Sequence, residues 1–393
     1  MGYGFSREDV AFLTGAAGAA ALAEVDRLEL TAATHLRDLE RVRRAHGAFA
    51  AALIDTVRLR RKASAKLTGA GEWLFTDDAL QQATPTLVAR ARAERLAGRA
   101  VHDVTCSIGA ELAELARVCP AVLGTDLDDV RLRMAAHNLA QPAGARNILV
   151  AKADALVPVS RDTVVIADPA RRADGRRTHD PAKLQPPLPD LLSAYAGRDI
   201  AVKCAPGLDF DSLDWTGEVE VVSLDGAVRE ACLWSAGLAE SGVTRRATVL
   251  SSTGSPIVVT DAAPEELPER APGEWIVDPD GAIVRAGLVR HYAAKHGLWQ
   301  LDPQIAYLTG DHVPDGLRGF RVLDRLELRE KSLRQELARR ECGTLEILVR
   351  GVDVDPDALR KRLKLRGTQS YTLVLTRIGR AGVAFLCTAH RMP

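Results

Sequence analysis

Aromatic side chains are scarce: Trp, Tyr and Phe together make up 4% of the 393 residues. The cores must therefore be aliphatic, built mostly from Ala, Leu and Val. Cysteine is limited to Cys106, Cys119, Cys204, Cys232, Cys342 and Cys387. No two of them stand as Cys-x-x-Cys, which argues against a zinc knuckle or a dithiol redox centre and suits reduced thiols. Long hydrophobic runs are missing too. Ala16 to Ala23 is apolar, but Glu24 and Asp26 cut it short of a membrane span. Residues 1–30 lack the basic start and apolar core of a secretory signal, so a cytoplasmic location is expected. Net charge is also absent, at 52 basic and 52 acidic residues, yet its distribution is uneven. Residues 100–310 hold 20 Lys/Arg against 29 Asp/Glu, whereas residues 311–393 hold 17 against 11. A near-neutral middle with basic ends suits either a catalytic core flanked by modules for a polyanion or a mere drift of surface charge.

What is present is organised around Val101 to Glu111. A short apolar strand runs into the turn Thr105-Cys106-Ser107-Ile108-Gly109, and a helix follows through Leu112 and Leu115. Such a turn leaves backbone N–H groups and a positive helix end beside whatever docks there. At the carboxyl end of the first strand of an open parallel sheet, it is a nucleotide-type site. Ala121 to Thr125 is a second apolar run closing on Asp126, a carboxylate able to take hydrogen bonds from a ribose diol. A third strand, Ile148 to Ala151, leads to Asp154. A fourth, Thr163 to Ala167, leads to Asp168-Pro169-Ala170-Arg171. Four strands that each deliver an Asp at or near one end are a far stronger signal than any one of them.

This set resembles the class I S-adenosylmethionine-dependent methyltransferases. The resemblance implies a Rossmann-like α/β core of seven strands with S-adenosyl-L-methionine as cofactor. It places Asp103, Thr105 and Gly109 in the cofactor turn, Asp126 on the ribose and Asp154 on the adenine amino group. Asp168, Pro169 and Arg171 then fall on the catalytic tetrapeptide, with Asp168 orienting or deprotonating the target. Two positions depart from the pattern. Ser107 replaces a glycine, which a negative φ accommodates. Ala170 replaces a proline, and no aromatic follows it to stack on a base.

The remaining chain divides readily. Residues 1–80 read as helices, with Ser6 as an N-cap and a basic stretch at 58–66 that either meets RNA phosphates or is a solvated face. Thr84-Pro85 reads as a helix start with Thr84 as cap, and Gln82 to Thr84 are expected near the methionine end of the cofactor. The core is expected over 81–252. A long loop at 171–183, rich in arginine, suits phosphate recognition by Arg171 or Arg172. Asp199 to Cys204 is a fifth strand that brings Lys203 to the active end. Cys204, before Ala205-Pro206, is read either as a nucleophile or as a small core residue. Glu218 to Leu224 and Thr248 to Ser252 read as the sixth and seventh strands, with Val228 to Trp234 between them as helix or strand.

Residues 253–310 read as a small α+β module or linker, with a hairpin turn at Asp278-Pro279-Asp280-Gly281. Residues 311–393 show a βαβαββ order, and Lys331 to Arg334, Cys342 to Ile347, Arg350-Gly351 and Leu375 to Arg377 resemble the THUMP-like domain. With the core, they resemble the bacterial THUMP-like-domain methyltransferases. The implied function is methyl transfer to a nucleobase of RNA (tRNA or rRNA), with RNA held by 311–393 and the 58–66 and 171–183 stretches. A degenerate core that only binds RNA, and a methyltransferase for a protein or small molecule, stand as alternatives. No metal site and no membrane contact are expected.

Overall fold

The computed structural model describes the chain except residues 1, 141–146, 171, 174–175, 178–179, 211, 214, 315–316 and 392–393, with the backbone alone at 172–173, 176–177 and 391. The chain divides into two units, 1–219 with 230–240, and 220–229 with 241–393.

The first unit begins with α1 (Arg7–Leu13), α2 (Ala16–Val25), α3 (His35–His46), α4 (Ala50–Ala63), α5 (Asp77–Gln82) and α6 (Thr86–Arg95). Ser6 caps α1 as expected, accepting from Asp9 N–H at 3.1 Å. Then β1 (Val101–Asp103), α7 (Ala110–Leu115), β2 (Val122–Asp126), α8 (Asp129–Ala140), β3 (Ile148–Lys152), β4 (Val164–Ala167), α9 (Leu188–Ala194) and β5 (Ile200–Cys204) alternate. The hairpin β6 (Gly217–Leu224) and β7 (Ala227–Ser235) follows, with its residues 220–229 assigned to the second unit. These strands run in the order β3-β2-β1-β4-β5-β7-β6 within a nine-stranded sheet. β1 to β5 pair in parallel, and β7 lies antiparallel to β5. Five parallel strands followed by an antiparallel hairpin fit the methyltransferase resemblance.

The seventh strand of that order is therefore Ala227–Ser235, and Thr248 belongs to a later strand. The signal was Asp225-Gly226, whose φ values of +50° and +76° fit a two-residue hairpin turn. The N-terminal helices share one apolar cluster with Ile108 and Met134 of the core. Asn138, fully buried, accepts from Leu74 N–H at 2.7 Å and donates to Leu74 and Ile108 carbonyls. The helices thus brace the turn that opens α7.

The second unit holds β8 (Arg245–Leu250) and β9 (Ile257–Thr260) as an antiparallel pair. It continues with β10 (Trp275–Val277), α10 (Gly281–Arg285), α11 (Val289–Lys295), β11 (Trp299–Gln300), β12 (Leu308–Gly310), β13 (Arg318–Glu327), α12 (Glu330–Arg339), β14 (Cys342–Val349), α13 (Pro356–Leu363), β15 (Gln369–Ile378) and β16 (Ala381–Arg391). Its sheet order is β11-β12-β10-β13-β16-β15-β14. Within the 253–310 stretch, β10 pairs with β13, and β10 to β12 belong to the C-terminal sheet. Ala282 to Val284 form a helix instead of a hairpin arm, because Asp280 accepts from Ala282 N–H at 2.7 Å and caps α10. Among the described residues, no helix is long and apolar enough to cross a membrane.

Candidate active site

A cavity of about 500 Å³ opens at the carboxyl ends of β1, β2 and β4. Asp103, Thr105, Ser107, Asp126, Asp154, Asp168 and Lys203 all line it. The turn after β1 is tied to the next two strand ends. Asp103 Oδ1 accepts from Thr105 N–H at 3.0 Å, and Thr105 Oγ1 accepts from Asp168 N–H at 2.7 Å. Asp126 accepts from Ser107 N–H through Oδ2 and from Asp128 N–H through Oδ1, both at 2.9 Å. Asp154 Oδ1 accepts from Leu156 N–H at 2.9 Å.

The turn carries two left-handed residues, Ser107 at φ +49° and Gly109 at φ +83°. The negative φ expected of Ser107 is corrected: the hydrogen bond to Asp126 holds it in a region that L-residues enter at some strain. Gly109 is the N-cap of α7, and a Cβ there would meet Leu139 Cδ1 at 3.0 Å, so glycine fits both the angle and the space.

At the other end of the cavity, charge is concentrated. Lys203 is 7% exposed and donates to Asp168 Oδ2 at 2.6 Å and to Thr84 Oγ1 at 2.5 Å. Thr84 is therefore a wall residue facing Lys203; Pro85 takes the N-cap position of α6. Gln82 and Ala83 line the same cavity. Arg92, buried on α6, bridges Glu111 at 2.6 Å and Glu230. Burial, with Glu111 and Asp168 nearby, pushes the Asp103 carboxyl up to about 7.

Cys204 follows Lys203 on β5 but is 2% exposed, donates its thiol to Val202 O at 3.7 Å and does not line the cavity. Side chains alternate along a strand, so Lys203 and Cys204 point to opposite faces. Cys204 is a core residue. Pro169 is buried between Asp168 and Ala170, outside the lining. Ala170 and Gln185 exchange two backbone hydrogen bonds, 2.8 and 3.1 Å, which pin the base of the 171–184 loop. Arg171 lies outside the described residues. Within that basic loop, Lys183 pairs with Asp180 at 3.3 Å.

Comparison with known proteins gives this arrangement a family. Two proteins of Mycobacterium tuberculosis, from strains CDC 1551 / Oshkosh and ATCC 25618 / H37Rv, are each 55% identical over 352 residues, 86% of this chain and 97% of theirs. Both are named as uncharacterized S-adenosylmethionine-dependent methyltransferases. This chain belongs to that methyltransferase family. The crystal structure of a candidate methyltransferase from Porphyromonas gingivalis W83 shares the fold at a TM-score of 0.76 and 18% identity, over 98% of this chain and 99% of that one. A family model described as THUMP domain-like matches residues 317–389, and one for a domain of unknown function matches 6–63. The cofactor of this methyltransferase is S-adenosylmethionine, as the relatives' names state.

Sequence reasoning missed Arg92, Glu111 and Glu230 of this methyltransferase; for Thr84 it gave the right neighbourhood but a capping role that Pro85 takes. Arg92 and Glu230 are 138 residues apart, so no local pattern joins them. Most of the basic stretch at 58–66 is engaged internally, while Arg58 is exposed. Arg60 donates to the Trp73 and Glu72 carbonyls, Arg61 to Asp26 and the Leu28 and Glu29 carbonyls, Lys62 pairs with Asp77, and Lys66 donates to the Leu80 and Gln81 carbonyls. In the C-terminal unit, Arg334 pairs with Glu330, and Arg339 and Arg340 with Glu336. Exposed Lys331, Lys361, Lys364 and Arg366 show no ion pair among the described residues.

Proposed function

We propose that this protein transfers the methyl group of S-adenosylmethionine to a nucleobase of RNA in the cytoplasm, with Asp168 as the group that receives the target's proton. The observation that carries the proposal is the Lys203–Asp168–Thr84 cluster at the end of a cofactor-sized cavity.

The residues present fit the cofactor. The cavity volume lies within the ~300–1,000 Å³ usual for such ligands. Each Asp126 oxygen accepts one backbone N–H, and a carboxylate has about four lone-pair sites, so two remain for a ribose diol. Asp154, with Leu127, Ala155 and Leu156 beside it in the wall, suits an adenine edge and face. Glu111 Oε2 is buried without a hydrogen-bond partner near the opposite end, where a positive group is welcome. The bound cofactor supplies an already activated methyl group. What remains for the protein is alignment and exclusion of water.

Lys203 holds Asp168 Oδ2, leaving Oδ1 to accept a hydrogen bond from a target N–H and to take its proton as the nitrogen gains the methyl group. Pro169 stiffens the backbone that presents Asp168. Carbon methylation by a cysteine nucleophile is disfavoured, because Cys106 is the cavity's one cysteine among the described lining residues and burial raises its thiol pKa well above normal. Any paired base has to be flipped out to reach Asp168.

The THUMP-like match supports RNA as the substrate. The exposed cations on α12, on α13 and in the turn after it, Lys331, Lys361, Lys364 and Arg366, are the groups proposed to meet its phosphates. The deciding experiment is transfer of labelled methyl groups to total RNA, protein and small-molecule fractions of a cell extract. Label in the RNA fraction is expected. Label confined to protein or small molecules would overturn RNA as the substrate.

A further inference from the structure

We infer that Gln185, Pro186 and Pro187 form the wall that receives the methyl acceptor, an assignment that rests on the nucleobase reading of that acceptor. The two proline rings are the platform on which the flipped base lies, and the Gln185 carboxamide reads its edge.

Both departures at Asp168-Pro169-Ala170-Arg171 lead to this wall. The methyltransferase pattern has proline where Ala170 stands, and proline has no N–H to donate. Ala170 N–H donates to Gln185 O at 2.8 Å, and Gln185 N–H donates to Ala170 O at 3.1 Å. The two residues make an isolated antiparallel bridge. Residues that exchange both bonds stand ~5.5 Å apart at Cα with their side chains on the same face. Ala170 and Gln185 both line the cavity, and so do Pro186 and Pro187. Alanine in place of proline thus ties the segment beyond the 171–184 loop into the wall, two residues from Asp168.

The other departure, the missing aromatic, leaves a base without its usual stacking partner. Pro186 and Pro187 are half-buried and offer two rigid apolar rings. Apolar side chains serve as well as aromatic ones to hold a flipped base by its faces. Pro187 is the N-cap residue of α9, and Leu188 and Leu191 of that helix are buried, so the platform is anchored. Gln185 is exposed, and its carboxamide has no hydrogen-bond partner among the described residues. A carboxamide accepts through its oxygen and donates through its nitrogen, which matches a base edge where donor and acceptor are neighbours. β4, which delivers Asp168, lies two strands from β2, ~10 Å across the sheet. The segment therefore stands apart from Asp126 and the ribose, and beside the carboxylate to which the target N–H is presented.

The test measures initial rates of labelled methyl transfer from S-adenosylmethionine to total RNA for the full chain and three variants, followed by digestion to find which nucleosides carry the label. Gln185→Ala keeps the backbone bridge and removes the carboxamide. It should lower kcat/KM about tenfold or more and spread the label over more nucleosides than the wild type. Pro187→Ala removes one ring of the platform and should lower kcat/KM about fivefold. Ala170→Pro puts back the residue of the pattern but deletes the donor of the 2.8 Å bond, so it should lower transfer as well. S-adenosylmethionine affinity by calorimetry and the melting curve should be unchanged in Gln185→Ala. A wild-type rate and label pattern in Gln185→Ala would overturn the inference while leaving RNA as the substrate. A matching loss of cofactor affinity would overturn it too, by placing Gln185 on the cofactor. A wild type that labels no RNA would instead refute the nucleobase reading, and base recognition by this wall with it.

Discussion

Replacing Lys203 by Met tests the centre of the site most directly. The substitution keeps much of the side-chain volume and removes the cation that lies 2.6 Å from Asp168 Oδ2 and 3.8 Å from Glu111 Oε2. Breaking a buried ion pair by deleting one partner costs ~3–5 kcal/mol, because the other charge is left uncompensated. Lys203 and Glu111 side chains are each 7% exposed, but Asp168 is 34% exposed, so water screens part of the loss. The lower end, ~3 kcal/mol, is expected. For a folding unit of this size that corresponds to a fall of about 6–12 °C in Tm. Asp168→Asn removes one of the stranded charges. Lys203→Met should therefore cost less in the Asp168→Asn background, with a coupling of ~1–3 kcal/mol in the double-mutant cycle. Calorimetric melts and urea titrations of the four proteins give the number. Additivity within ~0.5 kcal/mol would show that Lys203 and Asp168 do not act as a pair. Methyl transfer should fall at least about a hundredfold in either single variant, in the range typical for losing a proton-transfer group.

Four further outcomes are expected. Asp126→Ala should weaken S-adenosylmethionine binding by about 1–3 kcal/mol in calorimetry, from lost charged hydrogen bonds to the ribose; unchanged affinity removes Asp126 from the site. Burial lifts the Asp103 carboxyl to about 7, above the ~3.9 of an unfolded chain. The native state therefore keeps a proton that the unfolded chain has lost, and this group's contribution to stability falls as pH rises from about 4 to 7, by up to ~1.4 kcal/mol per pH unit. Asp103→Asn should flatten that part of the stability profile, and an unaltered slope would mean another group is responsible. Cys204→Ala should retain full methyl transfer with a stability loss of ~1 kcal/mol, whereas loss of activity in a folded variant would restore the nucleophile reading. Changing Lys361, Lys364 and Arg366 together to Gln should weaken RNA binding and reduce the salt slope by about 2, the value for three phosphate contacts to a single strand, while cofactor affinity stays constant.

Local chemistry made much of this protein legible in its sequence. Apolar runs ending in Asp103, Asp126, Asp154 and Asp168 disclose parallel strands and their active ends, because strand, turn and carboxylate are neighbours in the chain. The tight turn with Gly109, the arrival of Lys203 on β5 and the cap at Ser6 were readable for the same reason. Asp225-Gly226 was also a local signal, and giving it weight would have placed β7 correctly.

The tertiary structure decided what depends on contacts distant in sequence. Thr84 is a passable cap by type, yet packing brings it to Lys203, 119 residues on, and its hydroxyl serves the cavity. Arg92, Glu111 and Glu230 form one buried charge group from α6, α7 and β7, with no spacing that announces it. The arginines of α12 look like a polyanion surface in sequence, but their helix neighbours Glu330 and Glu336 take them up, and the unengaged cations are Lys331 beside them and Lys361, Lys364 and Arg366 further on. Composition sets how many charges a chain has. Folding decides which are neutralised and which remain to bind, because a charge acts over a few ångströms of space and not over a number of residues.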